Sequence, residues 1–204
     1  MHTNQHLISG TVYTADQYLR FFDEVATSPL PSPIYPDNFL KPIKKGYQQL
    51  QSALTQLHFD NAMQNSIAQF TRPVIWLFIT EPWCGDANAN TPAWLKVAQM
   101  CPNIELKIVL RDQNIALIDQ YLTNGGRSIP KLICIDAQTG KDIGTWGPRP
   151  AALQNLIPSI KEQNPNFRDY VHAVEHWYVA DKMQHLLAEI QNCLSTWQKS
   201  AATI

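Results

Sequence analysis

Cys84 stands where a thiol could do chemistry. It lies in the stretch Trp83-Cys84-Gly85-Asp86-Ala87, behind the apolar run Val74-Ile75-Trp76-Leu77-Phe78-Ile79 and a turn at Glu81-Pro82. The run is rich in β-branched and aromatic residues and too short to span a membrane, so it reads as a strand buried on both faces. The residues after Cys84 read as a helix to about Gln99. A thiol at such a strand-to-helix turn meets outward-pointing N–H groups and the positive end of the helix dipole. Both favour the thiolate, the form that attacks disulfides. Asp86 opposes it: at ~6 Å two negative charges repel by about 0.7 kcal/mol in bulk water and about 2.8 kcal/mol at an effective dielectric of 20. With the turn facing solvent, the lower figure is the expected one. Two roles stay open for Asp86: a carboxylate that stabilises the first helical turn, or a group that tunes or exchanges protons with Cys84.

The motif resembles the active-site turn of the thioredoxin family, Trp-Cys-Gly-x-Cys, with Ala87 in place of the second cysteine. Pro92 lies eight residues after Cys84, the spacing of the family's helix-kinking proline. Gly126-Arg127-Ser128-Ile129-Pro130-Lys131-Leu132-Ile133 resembles the family segment that carries a cis-proline, and Gly147 the glycine after its last strand. The whole chain is similar to bacterial thioredoxin-like proteins with a Trp-Cys-Gly-Asp-Ala turn. The resemblance implies a cis Ile129–Pro130 bond facing Cys84. Main-chain groups of Ile129 would pair with a substrate segment, and Trp83 and Ile129 would form an apolar rim. Arg127 reads as a solvated arginine, with an anionic thiol partner such as glutathione as its other possibility.

Ala87 cannot resolve a mixed disulfide on Cys84, so the usual dithiol cycle is not expected. Cys101 falls at the far end of the helix begun by Cys84, about 25 Å away at 1.5 Å per residue. Cys101 and Cys134 read as small buried hydrophobes; Cys193 has no assigned place. Phe78 occupies the position of the family's buried acid. Cys84 is therefore expected to titrate below the free value of about 8.5, by less than one to two pH units.

The elements around the motif follow from periodicity and breakers. Thr14 and Gln17 form a capping box, with Tyr18, Leu19, Phe22 and Val25 at helical spacing behind it. Pro29, Pro31, Pro33, Pro36 and Pro42 impose an extended crossing. A second helix carries Tyr47, Leu50, Leu54 and Leu57, and a third spans about 61–70. The middle alternates: strand 73–80, helix 85–99, strand 104–110, helix 113–122 capped by Asp112, strands 131–136 and 142–146, helix 149–161. This order predicts a thioredoxin-like α/β fold, a central sheet covered by helices. The family's opening strand and helix are replaced by other sequence. Residues 166–200 read as helix, with Met183, Leu186, Leu187, Ile190, Leu194 and Trp197 on a stripe that packs on the domain or on a second copy of the chain. The organisation is an N-terminal helical extension (1–70), a thioredoxin-like domain (71–162) and a C-terminal helical extension (163–204).

Size and charge bound the rest. A chain of 204 residues with 45% hydrophobic content can bury a real core. A net charge of −1 points away from nucleic acid and anionic membrane surfaces. Four well-separated cysteines, with no signal-peptide pattern at the start, indicate the cytoplasm rather than a disulfide framework. His172-Ala173-Val174-Glu175-His176 matches a short zinc-protease pattern but brings no third ligand, so no metal is expected. No cofactor is implied either. The functional expectation is single-cysteine thiol–disulfide exchange through Cys84, with a disulfide- or thiol-bearing protein or a small thiol as partner. The alternative is a non-catalytic module that holds a peptide or partner in the same groove.

Overall fold

The computed structural model describes residues 4–200, so the outermost residues of both expected extensions lie outside the described range. Four strands form one sheet in the order β2-β1-β3-β4. They are β1 (Val74–Thr80), β2 (Ile104–Leu110), β3 (Lys131–Asp136) and β4 (Asp142–Trp146). β1 runs parallel to β2 and antiparallel to β3, and β3 runs antiparallel to β4. The parallel crossover is carried by α4 (Gly85–Met100). The alternating order expected from sequence is thus the order of the fold.

The side-chain period of two divides β1 between two cores. Trp76 and Phe78 face a helical layer made of α1 (Ala15–Thr27), α2 (Asp37–Gln56), α3 (Asn61–Ala68), α4 and α8 (Gln184–Lys199). Leu77 and Ile79 face a thinner cover, with Leu117 and Ile118 of α5 (Ile115–Ile118), Leu7 and Ile8. Cys84, Ala87 and Ile129 belong to this second cluster. β1 is the doubly buried strand its composition predicts. Four tryptophans, Trp76, Trp94, Trp146 and Trp197, meet in the helical layer with ring centroids 5.1–6.3 Å apart. Trp197 reaches them because Gly144 of β4 has no Cβ, which would collide with the indole.

Just before α1, Tyr13 makes a single antiparallel bridge to Ile108, with two backbone bonds of 2.8 Å. It covers part of the β2 edge that a full strand would otherwise pair. The Thr14–Gln17 capping box is present at the start of α1.

Three expectations need correction. The helix expected at 113–122 shrinks to a 3-10 turn at Arg111–Gln113 and the four-residue α5, and Asp112 does not cap it. The backbone N–H of Asp112 donates to Glu81 (2.8 Å), and its carboxylate pairs with Arg111. Pro42 is not in the extended crossing but inside α2, which starts at Asp37. It is exposed, so the Asn38 carbonyl it leaves unpaired faces water. Residues 166–200 form two helices, α7 (Phe167–Asp181) and α8, broken at Lys182 and Met183. Both take left-handed φ values, 50° and 64°. Neither is glycine, so nothing in the local sequence marks the break.

The stripe on α8 packs on the domain: Leu186, Ile190, Leu194 and Trp197 are buried in the helical layer. Arg72 fastens its end, pairing with Asp136 (2.7 Å) and donating to the carbonyls of Trp197 and Ser200. α7 is held more lightly. Only Val174 is buried on it, in a small cluster with Leu153 and Ile157 of α6 (Ala151–Gln163), while Phe167 and Val179 stay exposed.

Candidate functional site

Cys84 is the N-cap of α4, and its carbonyl accepts the first helical bond from the Asn88 N–H (3.0 Å). Its own N–H donates back to the Glu81 carbonyl (3.1 Å), which closes the turn after β1. The Asn88 side chain donates to the Pro82 carbonyl (3.0 Å). α2 crosses at this level at Gly46, where a Cβ would collide with the Asn88 amide. The turn is therefore fixed from below by α2 and from within by Asn88.

The Cys84 thiol donates to the Ile129 carbonyl at 3.3 Å. The peptide that follows, Ile129–Pro130, is cis. Gly147 (φ 111°) packs behind it, and a Cβ there would collide with the Pro130 carbonyl oxygen. Lys131 donates to Thr123 (2.8 Å) and to the Gly147 carbonyl (3.2 Å), which fixes the strand start after the proline. Sulfur, proline segment and glycine thus meet at one end of the sheet, although they are far apart in sequence.

The electrostatics differ from expectation. Cys84 is only 9% exposed, and burial, followed by the Asp86 charge, pushes its thiol up to about 12. The backbone N–H groups of Ala87 and Asp86 and the Arg149 guanidinium pull the other way without overcoming burial. The expected lowering is thus reversed. Its premise, a turn facing solvent, fails because Cys84 sits in the second core cluster. Ile129 is buried as well. Trp83 lies between the Phe39 ring (centroids 5.2 Å) and the Arg111 guanidinium (4.7 Å), so it is flanked rather than a free rim. Gly85 alone is open: a Cβ there would meet nothing within 4 Å.

Asp86 is more than a first-turn carboxylate. It pairs with Arg149 (2.6 Å), accepts a second bond from Arg149 Nε (2.9 Å) and accepts from the Tyr178 hydroxyl (2.8 Å). Asn90 donates to the same hydroxyl (2.9 Å), and Arg149 also reaches Gln154 and Tyr170. Burial outweighs these partners and lifts Asp86 above the ordinary carboxylate range, while Asp86 holds Arg149 in its charged form despite burial. Arg149 and Tyr178 were not foreseen. Arg149 follows a Gly-Pro pair, Gly147-Pro148, and Tyr178 lies 92 residues from Asp86, so local sequence offers no signal for either.

A buried acid does sit beside the site, at a position the sequence reading passed over. Glu81 is 1% exposed, accepts from the Tyr35 hydroxyl (2.6 Å) and the Asp112 N–H (2.8 Å), and is raised by burial. Arg127 is paired with Asp119 (2.6 Å) rather than solitary. Cys101 and Cys134 are buried in the helical layer, on the other side of the sheet from Cys84's cluster. Burial pushes Cys134 and the half-buried Cys193 up to about 12. The two histidines of the short zinc pattern lie on α7, and no metal-binding group of residues occurs among the described ones.

A family profile described as thioredoxin matches residues 35–164. The chain belongs to the thioredoxin family. The match begins in the crossing before α2 and ends just after α6, so this thioredoxin carries α1, α7 and α8 outside the matched span. Two solved structures share the fold. One is a protein of unknown function from Pseudomonas aeruginosa, 18% identical, with a TM-score of 0.54, over 90% of this chain and 98% of that one. The other is an HIV epitope-scaffold, 16% identical, with the same TM-score and coverage. No curated protein matches. No helix among the described residues is long and apolar enough to cross a membrane.

Proposed function

We propose that this thioredoxin is a single-cysteine thiol–disulfide exchange protein whose nucleophile is Cys84. The observation that carries the reading is the 3.3 Å contact between the Cys84 thiol and the Ile129 carbonyl. It sets the sulfur against the segment that, by family resemblance, pairs with substrate. The open space at Gly85 supports it, because an approaching sulfur meets no side chain there. In the step itself, the Cys84 thiolate attacks one sulfur of a disulfide. The S–S bond breaks, the departing thiolate takes up a proton, and Cys84 is left in a mixed disulfide. Ala87 offers no thiol to reverse it, so an external thiol attacks the mixed disulfide and restores Cys84. Elements flank the turn on both sides, Phe39 and Arg111 at Trp83 and α7 at Asp86. These flanks favour a small disulfide over an extended protein segment.

A second reading is favoured by the buried, protonated thiol: a module that binds a partner at this groove without exchange. One experiment separates the two. The reduced protein is incubated with a small disulfide such as oxidised glutathione, and adducts are mapped to each cysteine by mass spectrometry. The exchange reading expects one adduct on Cys84, lost in Cys84→Ser. An absence of adduct at Cys84, with other cysteines modified, overturns it in favour of the binding module.

A further inference from the structure

Asp86 and Arg149 are two partly buried opposite charges beside a buried thiol. Their arrangement is over-determined. Asp86 is held by α4, where it lies in the first turn after Cys84. Arg149 comes from the segment between β4 and α6, and its place is set from a third direction. Glu189 of α8 accepts from the Ala151 N–H at the start of α6 (2.6 Å) and from the Trp146 indole (2.7 Å), so both ends of the segment carrying Arg149 are anchored to one carboxylate. α7 closes the far side, with Tyr178 on Asp86 and Tyr170 on Arg149. The side chains of the pair are 13% and 16% exposed, so water screens them little.

We propose that Arg149 is the positioning residue of the Cys84 site, holding Asp86 in an ion pair so that the sulfur faces a neutral pair instead of a bare carboxylate. The inference rests on the exchange reading for its purpose, but not for its test. Among charged groups, Asp86 from α4 pushes the Cys84 thiol up and Arg149 from the β4–α6 segment pulls it down. Tyr18 from α1 lies close enough to be coupled to the thiol, and Tyr170 and Tyr178 from α7 face the pair. Of these, Asp86 and Arg149 are the two whose removal acts on the sulfur in opposite senses. An opposite charge nearby favours a thiolate and a like charge disfavours it. Loss of Asp86 should therefore activate Cys84, and loss of Arg149 should silence it. A purely structural ion pair behaves differently: losing either partner would loosen the site and move reactivity the same way.

The experiment is the second-order rate of Cys84 alkylation by iodoacetamide between pH 7.5 and 9.5, read at that cysteine by mass spectrometry. Cys101 and Cys134 report any general opening. The expected result is a rate in Asp86→Asn about tenfold above wild type and a rate in Arg149→Met about tenfold below it. Arg149→Lys keeps the charge but loses the two-point contact with Asp86, so its rate should fall between those of wild type and Arg149→Met. Should Arg149→Met fail to fold, Asp86→Asn and Arg149→Lys carry the test. Shifts of the same sign in Asp86→Asn and Arg149→Met, or no acceleration in Asp86→Asn, overturn the proposal. Alkylation needs no disulfide partner, so failure of the exchange reading leaves this result standing and failure here leaves the exchange reading standing.

Discussion

Two acids flank Cys84, and each is met by a tyrosine from a different end of the chain. Glu81 lies three residues before it, buried, with Tyr35 and the Asp112 N–H on its oxygens. Asp86 lies two residues after it, with Tyr178 and Arg149. Burial raises both carboxyls. What separates them is the cation and the reach. Asp86 is paired with an arginine and lies in the first turn after the sulfur, whereas the Glu81 carboxylate is met by a phenol and a backbone N–H. Glu81 joins the crossing before α2, the end of β1 and the turn after β2. Asp86 joins the thiol to α7. The same chemistry, a carboxylate and a phenol, ties three segments of the fold together on one side and holds α7 against the turn of Cys84 on the other.

That contrast breaks most readily at the tyrosines. Tyr35→Phe leaves the Glu81 carboxyl, fully buried, with one donor fewer, and should cost about 1.5–3 kcal/mol of unfolding free energy, the range for hydrogen bonds to charged groups. Tyr178→Phe leaves Asp86 with both Arg149 bonds, and should cost about 0.5–1.5 kcal/mol. Urea denaturation of the two variants compares them directly. Equal losses, or a larger loss in Tyr178→Phe, would erase the distinction between a structural and a site carboxylate.

A smaller effect sharpens it. Glu81 is raised in the folded state, so its proton is held more tightly folded than unfolded. Its contribution to stability is fully present below the unfolded glutamate value of about 4.3 and is lost as pH rises through the higher folded value. Glu81→Gln has no proton to lose. The stability of wild type relative to Glu81→Gln should therefore decline on raising the pH from about 4 toward neutrality. A rise over that window would mean that Tyr35 and the Asp112 N–H outweigh burial.

Much of the fold could be read from the chain because its signals are local and redundant. β1 announces itself by an unbroken apolar run, α1 by a capping box, and the β3–β4 turn by Asp136-Ala137-Gln138-Thr139-Gly140. The misreadings arose where tertiary contacts override local preference. Asp112 looks like a helix cap, but its N–H is taken by Glu81. The break between α7 and α8 falls on Lys182 and Met183, residues that do not signal a left-handed turn. The sulfur and its proline segment were legible from their motifs. The environment of the sulfur was not, because Arg149 and Tyr178 reach Asp86 beside it across 63 and 92 residues. The sequence motif marked the thiol, and long-range packing set its surroundings.

The most direct measurement is the pH dependence of alkylation in the wild-type protein, read separately at Cys84, Cys101, Cys134 and Cys193. The predicted result is that Cys84, beside the open Gly85, reacts before the other three. At pH 8.5 it should do so at least about a hundredfold more slowly than a free thiol, because burial holds it protonated. If Cys84 stays silent while the others react, it is not an exchange centre, and a Cys84 that matches the free-thiol rate would contradict the burial that holds its thiol protonated.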